Sequence, residues 1–484
     1  MRKNINPNPY HCLSKVDDNI DRQTSIEDYF DKAVLTKYNV AGPRYTSYPT
    51  AVSFHPNIRD EDIDSAISNL AHSSSVNKNL AIYVHIPFCH ELCYYCGCNK
   101  IVTRHQEKAE LYLQYLKKEM HLVAHKYKAL TISELHLGGG TPNFLTIAQL
   151  TTLVDSLKTA FNFRHDAQLS IEIDPRTVDK TYIIQASNIG FNRLSIGVQD
   201  TDKRVQKQIN RVQSTIHIAD LIDCARQNKF RSINLDLIYG LPMQTRETFF
   251  NTLEAAKTMD PDRISLFSYA HLPNIFAAQR KIKEEYLPSS TEKFALFRQA
   301  IDVLTKAGYD FIGMDHFAKK SDELSLASKN KVLGRNFQGY TSSSNTACLG
   351  LGVSSISNID NVYTQNEKKL SDYYKRLDLK QSPVIKGLVL AQDDEIRRDL
   401  IHQLMCNFEI NKTDFSQKHQ INFDVYFAHS RNKLTEFIED GLLSDTKEYL
   451  TIHPRGRLIV RNICMSFDEY LSQPMHQMRY SRVI

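Results

Sequence analysis

No run of apolar residues in this chain approaches the roughly 20 that a membrane-crossing helix needs, so no membrane span is expected. The start, MRKNINPNPYHCLSK, is basic, yet no apolar core follows it. That argues against a secretory signal and for a cytoplasmic location. Charge of one sign is scarce too: the formal net charge is +5 over 484 residues. Such a balance suits an acidic substrate but builds no basic stripe of the kind nucleic acids require, and no nucleic-acid partner is expected. Internal repeats and low-complexity tracts are also lacking. What remains is an ordinary globular composition, 42% hydrophobic and 24% charged, long enough for a large core with a smaller satellite.

The nine cysteines are unevenly placed. Cys12, Cys224, Cys348, Cys406 and Cys464 are scattered and read as small buried residues. Cys89, Cys93, Cys96 and Cys98 lie together, with three, two and one residues between successive members. A disulfide framework spreads its cysteines and belongs to small secreted domains; a local cluster in a large chain reads as metal or redox chemistry. Structural zinc usually takes two separated pairs, and no second pair exists here. A cubane iron–sulfur cluster suits one compact loop of thiolates. Zinc remains the competing reading, separable by metal analysis.

From residue 81 onward, short apolar runs alternate with helical patterns. Strands are expected at 81–86, 133–137, 169–174, 193–199, 233–240 and 263–269, with a further candidate at 309–314. Helical patterns fall at 106–126, 146–160, 214–228 and 245–257. Six βα units in succession imply a parallel sheet curved toward a barrel, since parallel neighbours need crossovers. The fold class expected is therefore α/β: a partial (β/α)6 barrel of the TIM type with an N-terminal arm and a small, mainly helical C-terminal domain. The divisions fall at 1–75 for the extension and arm, 76–375 for the barrel and 376–484 for the C-terminal domain, which carries a possible wing. Residues 73–78 read as a polar linker.

In such a sheet the chemistry collects at the carboxyl ends of the strands. The cysteines follow the first strand after Pro87. Gly138-Gly139-Gly140-Thr141-Pro142 follows the second, where glycines let backbone groups approach a ligand closely or simply make a tight turn. Glu172 and Asp174 close the third strand, Gln199 ends the fourth with Arg211 beyond it, and Asp236 sits in the fifth. A lone acid in a strand is more often part of a buried network; several at successive strand ends point to a polar ligand site.

The spacing of Cys89, Cys93 and Cys96 resembles the signature of the radical S-adenosylmethionine superfamily. That resemblance implies that these three thiolates hold a [4Fe–4S] cluster and leave one iron open to the cofactor's methionine. The likeness extends further. PRYTSYPT, YVHIPFC with its CGC ending, HLGGGTP, LDLIYGLP, YAHLP, GMDHFA, RNFQGYT and the terminal SRVI, in that order, resemble the oxygen-independent coproporphyrinogen III oxidase family from about residue 38 to 484.

The resemblance implies one cluster and two S-adenosylmethionine molecules. Tyr83, Gly139, Glu172 and Ile356 match contacts to the first. Tyr95, Gly140, Thr141, Gln199, Arg211, Asp236 and Ala270 match contacts to the second, with Tyr95 standing where Phe is usual. The implied activity is that of an oxidoreductase of porphyrin and haem biosynthesis, in which the radical chemistry of the cofactors turns two propionates of coproporphyrinogen III into vinyl groups. The implied partners are that substrate and a one-electron donor protein such as flavodoxin or ferredoxin, with the chain a monomer. Arg44 in the PRYTSYPT arm is the candidate anchor for substrate carboxylates; a plain surface arginine is the competing reading.

Three rivals share some of these features: a haem-binding or haem-transferring radical paralogue, a haem-degrading radical methyltransferase and a zinc-stabilised scaffold. Cys98 and the PRYTSYPT arm argue against the first, and GMDHFA with RNFQGYT against the second. Residues 1–37 match nothing in the family.

Overall fold

The computed structural model describes residues 31–72, 78–342 and 347–472. Cys12, most of the expected linker and the terminal SRVI lie outside the described residues.

Six strands run parallel in sequence order: β1 (Asn79–Ile86), β2 (Thr131–Gly139), β3 (Phe163–Ile173), β4 (Arg193–Gln199), β5 (Ser232–Tyr239) and β6 (Arg263–Ser268). They are the six expected runs, and β4 matches its expected bounds to the residue. Leu80, Ile82, Val84 and Ile86 of β1 are all buried, as are Leu135 and Leu137 of β2. Strands covered on both faces read as near-continuous apolar runs, which made them legible.

The helices between them carry one apolar stripe each. Ile147–Ala160 starts at Thr146, whose side chain accepts from Gln149 N while Gln149 reaches back, and it buries Leu150, Leu153, Val154 and Leu157. The 3- and 4-residue spacing puts these on one face against the sheet. Lys180–Ile189, which no expected pattern covered, is capped by Asp179 and ends at Gly190 in the left-handed region.

The sheet does not close. Tyr309–Gly313 (β7) is a strand, but it turns back through His316–Lys319 (β8), which pairs antiparallel with β6. On the other side Ala347–Leu351 (β9) adds a parallel strand to β1, followed by the antiparallel β10 (Ile356–Ile359), β11 (Val362–Asn366) and β12 (Val384–Val389). The strand order is β12-β11-β10-β9-β1-β2-β3-β4-β5-β6-β8-β7, an open partial barrel. β12 lies beyond residue 375 yet extends this sheet.

A second core lies in the C-terminal part. Helix Gln392–Asn407 packs Leu400 and Leu404 with Phe415, Phe427, Leu450 and Ile463. A three-stranded sheet of Glu409–Asn411, Tyr449–Ile452 and Leu443–Asp445 supplies the wing. Residues 31–72 are not one loose arm. Leu35, Tyr38, Tyr45 and Tyr48 enter the C-terminal core, whereas Ala66 and Ile67 of helix Asp60–His72 enter the main one. Aromatic and aliphatic side chains in an otherwise polar segment are the physical reason: each finds a core to bury against.

One buried acid ties β9 to the first crossover helix. Glu119 of helix Glu107–Val123 accepts from Tyr373 Oη at 2.6 Å, Gly352 N at 2.7 Å and Asn366 Nδ2 at 2.6 Å. Burial pushes its pKa up to about 7 although all three donors pull it down. Both carboxyl oxygens are acceptors here, so an amide would turn one N–H group toward a donor. Glu119→Gln is expected to lower stability by ~1–3 kcal/mol, read as an earlier denaturant midpoint with unchanged slope. An unchanged midpoint would mean the network can rearrange.

Candidate cofactor and iron–sulfur site

β1 ends at Ile86, and Pro87 breaks it into the cysteine loop. The loop is held by backbone bonds from Ile101 N to Pro87 O at 2.7 Å, Thr103 N to Cys89 O at 3.0 Å and Tyr94 N to Ile209 O at 3.0 Å. Asn210 Nδ2 donates to Leu92 O at 2.8 Å. A loop whose regular structure is confined to the short parallel pair of Phe88–Cys89 with Ile101–Val102 is thereby fixed in place.

Donors converge on two of the sulfurs. Thr141 Oγ1 lies 3.4 Å from Cys89 Sγ. Arg211 Nη1 and Arg176 Nη2 lie 3.4 and 3.5 Å from Cys93 Sγ. Burial pushes the Cys89 thiol up to about 11. Cys96 is brought down to about 6, first by a hydrogen bond from Cys98, against its own burial, with Lys100 adding to the shift. Cys98 moves the opposite way, first through that same bond. Lys100 Nζ also bonds Cys96 O at 3.0 Å.

Among the described residues no three His, Cys, Asp or Glu side chains converge to hold a single metal ion. A cubane asks for something else, several thiolates in one compact loop with donors aimed at sulfur; the loop supplies the thiolates, and Thr141, Arg176 and Arg211 supply the donors. The donor set therefore fits an iron–sulfur cluster.

Arg211 anchors the floor of the site. Its buried guanidinium also donates to Asp174 Oδ2 at 3.1 Å and to Gly197 O at 2.8 Å. Burial would lower its pKa, but Tyr95, Asp174 and Cys93 raise it on balance. Arg176 grips the same carboxylate, Nη2 to Asp174 Oδ2 at 2.6 Å, and reaches Glu91 at 2.8 Å. Burial alone would raise Asp174, yet Arg176 and then Arg211 hold it below its usual range. Arg176 is a site residue that the motif reading missed. The signal was present, a cation directly after Asp174-Pro175 at a strand end.

Several other expected residues fall at or near the carboxyl ends of the neighbouring strands. Tyr83 Oη is 3.1 Å from His85 Nδ1, and its ring stacks on His136 at 5.9 Å between centroids. His136 Nε2 is 2.8 Å from Glu172 Oε1. Asp236 accepts from Asn234 Nδ2 at 2.8 Å and Ser195 Oγ at 3.1 Å. Burial first, then the like charge of Glu172, pushes Asp236 up to about 7. Gln199 is buried at the end of β4. Gly140 N bonds Ile86 O at 2.8 Å, and a Cβ there would stand 2.7 Å from Pro87 C, so only glycine lets β2 pass the cysteine loop. Gln279, also missed, bonds the carbonyls of Tyr95 and Ala270 at 3.0 and 3.2 Å and so clamps the loop to the end of β6. Ile356 opens β10. Its carbonyl would lie 2.5 Å from a Cβ on Gly350, the register partner of Tyr83 on β1.

Among known proteins, residues 83–256 match the Radical SAM superfamily and residues 390–459 match the HemN C-terminal domain. The chain is 47% identical over 94% of its length to the oxygen-independent coproporphyrinogen III oxidase of Salmonella typhimurium, of which 98% is covered. It is 46% identical to the protein of that name from Escherichia coli, with 94% of this chain and 98% of the relative covered. For the Pseudomonas aeruginosa protein of that name the identity is 43%, over 94% of this chain and 99% of the relative. A solved structure described as "Coproporphyrinogen III oxidase (HemN) from Escherichia coli is a Radical SAM enzyme" superposes with a TM-score of 0.88 at 45% identity, covering 92% of this chain and 100% of that one.

Proposed function

The chain belongs to the oxygen-independent coproporphyrinogen III oxidase family, and from that premise we propose that it oxidatively decarboxylates two propionates of coproporphyrinogen III, giving protoporphyrinogen IX. The observation that carries the reading is the cysteine loop at the end of β1, in which Cys89 and Cys93 are buried and met by Thr141, Arg176 and Arg211, with a rim of polar groups on β2 to β5 beside it.

When bound, the [4Fe–4S] cluster and S-adenosylmethionine supply the one-electron chemistry that removes a hydrogen from the β-carbon of a propionate. Cys89, Cys93 and Cys96 hold the cluster. Arg211 and Arg176 offset the negative charge at Cys93, and the surrounding burial keeps water from it. Tyr83, Gly139, Glu172 and Ile356 bind one S-adenosylmethionine. Tyr95, Gly140, Thr141, Gln199, Arg211, Asp236 and Ala270 bind a second. Glu172 and Asp236 serve as acceptors for hydroxyl or amino groups, a role burial favours because no water competes. The arm around PRYTSYPT covers the substrate. No described helix is long and apolar enough to cross a membrane; the enzyme acts in the cytoplasm as a monomer, reduced by a flavodoxin- or ferredoxin-type protein.

Purified without oxygen, the protein is expected to be brown, with about four irons and four sulfides per chain. With reductant, S-adenosylmethionine and coproporphyrinogen III it is expected to release a divinyl product. A colourless, zinc-loaded preparation would remove the premise of the chemistry. A loaded enzyme that cleaves S-adenosylmethionine yet leaves the porphyrinogen untouched would remove the substrate assignment.

A further inference from the structure

Three arginines from distant parts of the chain come within electrostatic reach of one another. Arg44 comes from the arm, Arg335 from the hairpin of Gly334–Asn336 and Gly339–Thr341, and Arg461 from helix Val460–Met465. Nε and Nη1 of Arg335 and Nη1 of Arg461 are buried with no hydrogen-bond partner among the described residues. Buried cationic N–H groups left unmade are costly and rare in native folds, so they demand an acceptor. Asp315, the carboxylate within electrostatic reach of all three, is already bonded by His316 Nδ1 at 2.6 Å. Burial first, then the like charge of Arg44, brings Arg461 down to about 10.

The guanidinium of Arg335 is oriented. It stacks on the ring of Tyr340 at 4.6 Å. Tyr340 in turn is fixed by its hydroxyl to Met405 O at 2.9 Å and meets His316 edge-on at 5.3 Å. A guanidinium held by its face presents its N–H edge, the shape that grips a carboxylate with two bonds. Arg44, Arg461 and Asp315 act electrostatically on Tyr239, which ends β5 three residues after Asp236.

We propose that Arg335 and Arg461, joined by Arg44, form a carboxylate-binding site that holds propionates of the substrate while another reaches the radical chemistry. The inference rests on the proposed function, since coproporphyrinogen carries four such groups, and it adds two anchoring residues from outside the cofactor rim. The surplus positive charge and the unmade N–H groups together make the site selective for carboxylates over neutral esters.

S-adenosylmethionine also carries a carboxylate, so the test separates the two. Anaerobic holoenzyme is titrated with coproporphyrin III, the stable fluorescent tetra-acid, and with its tetramethyl ester; S-adenosylmethionine cleavage is measured in parallel without porphyrin. Arg335→Gln and Arg461→Gln are each expected to weaken tetra-acid binding by about 10- to 100-fold, as the loss of a charge-assisted pair implies. Ester binding and S-adenosylmethionine cleavage stay unchanged. Arg335→Lys recovers only part of the loss, because the charge returns without the flat edge. Folded variants that bind the tetra-acid like the parent, or that lose S-adenosylmethionine cleavage instead, would overturn the site. A parent enzyme that binds neither porphyrin would overturn the substrate assignment itself.

Discussion

Replacing Cys93 with alanine is expected to abolish S-adenosylmethionine cleavage and strip the iron while leaving the chain folded. The thiol is buried and is met by two guanidinium donors, from Arg211 at 3.4 Å and Arg176 at 3.5 Å. Removing it leaves two of the three proposed ligands, too few to retain a cubane that already has an open corner. The fold loses little by comparison. Arg176 keeps Asp174 and Glu91, and Arg211 keeps Asp174 and Gly197 O, so no buried cation is left without an acceptor.

Iron and sulfide content, the visible absorption of the cluster and methionine release check the outcome against an unchanged melting transition. Full cleavage in this variant would exclude the assigned ligands. Cys98→Ala is the informative contrast. Cys98 acts on Cys96 through a hydrogen bond rather than as a proposed ligand. Its loss is therefore expected to keep the cluster and reduce activity by about 10-fold, the usual scale of an outer contact.

Which parts of this arrangement could be read beforehand follows from which contacts are local. The six parallel strands announce themselves because each is buried on both faces, and RLSIGVQ was legible to its ends. β9 was not. Ala347–Leu351 is five residues long and includes a glycine and a cysteine, and it becomes a strand only because β1 offers a free edge. β7 was recognised as a strand but its hairpin return through β8 was not, since four residues hold too little pattern to give direction. In the site, the cysteines, Gly139–Gly140 and the strand-end acids are sequence motifs. Arg176 and Gln279 work by reaching across to other segments, and that reach is a property of the folded loops. Arg211 lies between these cases: its place after β4 was visible, whereas its three partners come from the cysteine loop, β4 and the end of β3.

That convergence makes Arg211→Met the second large effect. Methionine fills much of the volume but removes two donors from Gly197 O and takes one cation from Asp174. Breaking a buried pair ordinarily costs about 3–5 kcal/mol. Arg176 still holds Asp174 at 2.6 Å, so the loss is expected near ~3 kcal/mol, at the lower end of that range. Asp174 sets the pH dependence. Its pKa is lowered in the folded state, so its contribution is present above the unfolded value of about 4 and fades as pH falls below it. The stability gap between parent and variant should narrow in acid.

Asp174→Asn added to Arg211→Met should recover part of the loss, because the amide no longer carries an under-compensated charge; strict additivity of the two changes would show that they do not share one network. The same substitution removes a donor from Cys93 Sγ. Hydrogen bonds to cluster sulfurs favour the reduced state, so the potential should fall by tens of millivolts and reductive cleavage should slow at a fixed reductant. A variant with the parent's denaturant midpoint and the parent's potential would leave Arg211 as packing alone, and the floor of the site would have to be assigned to Arg176.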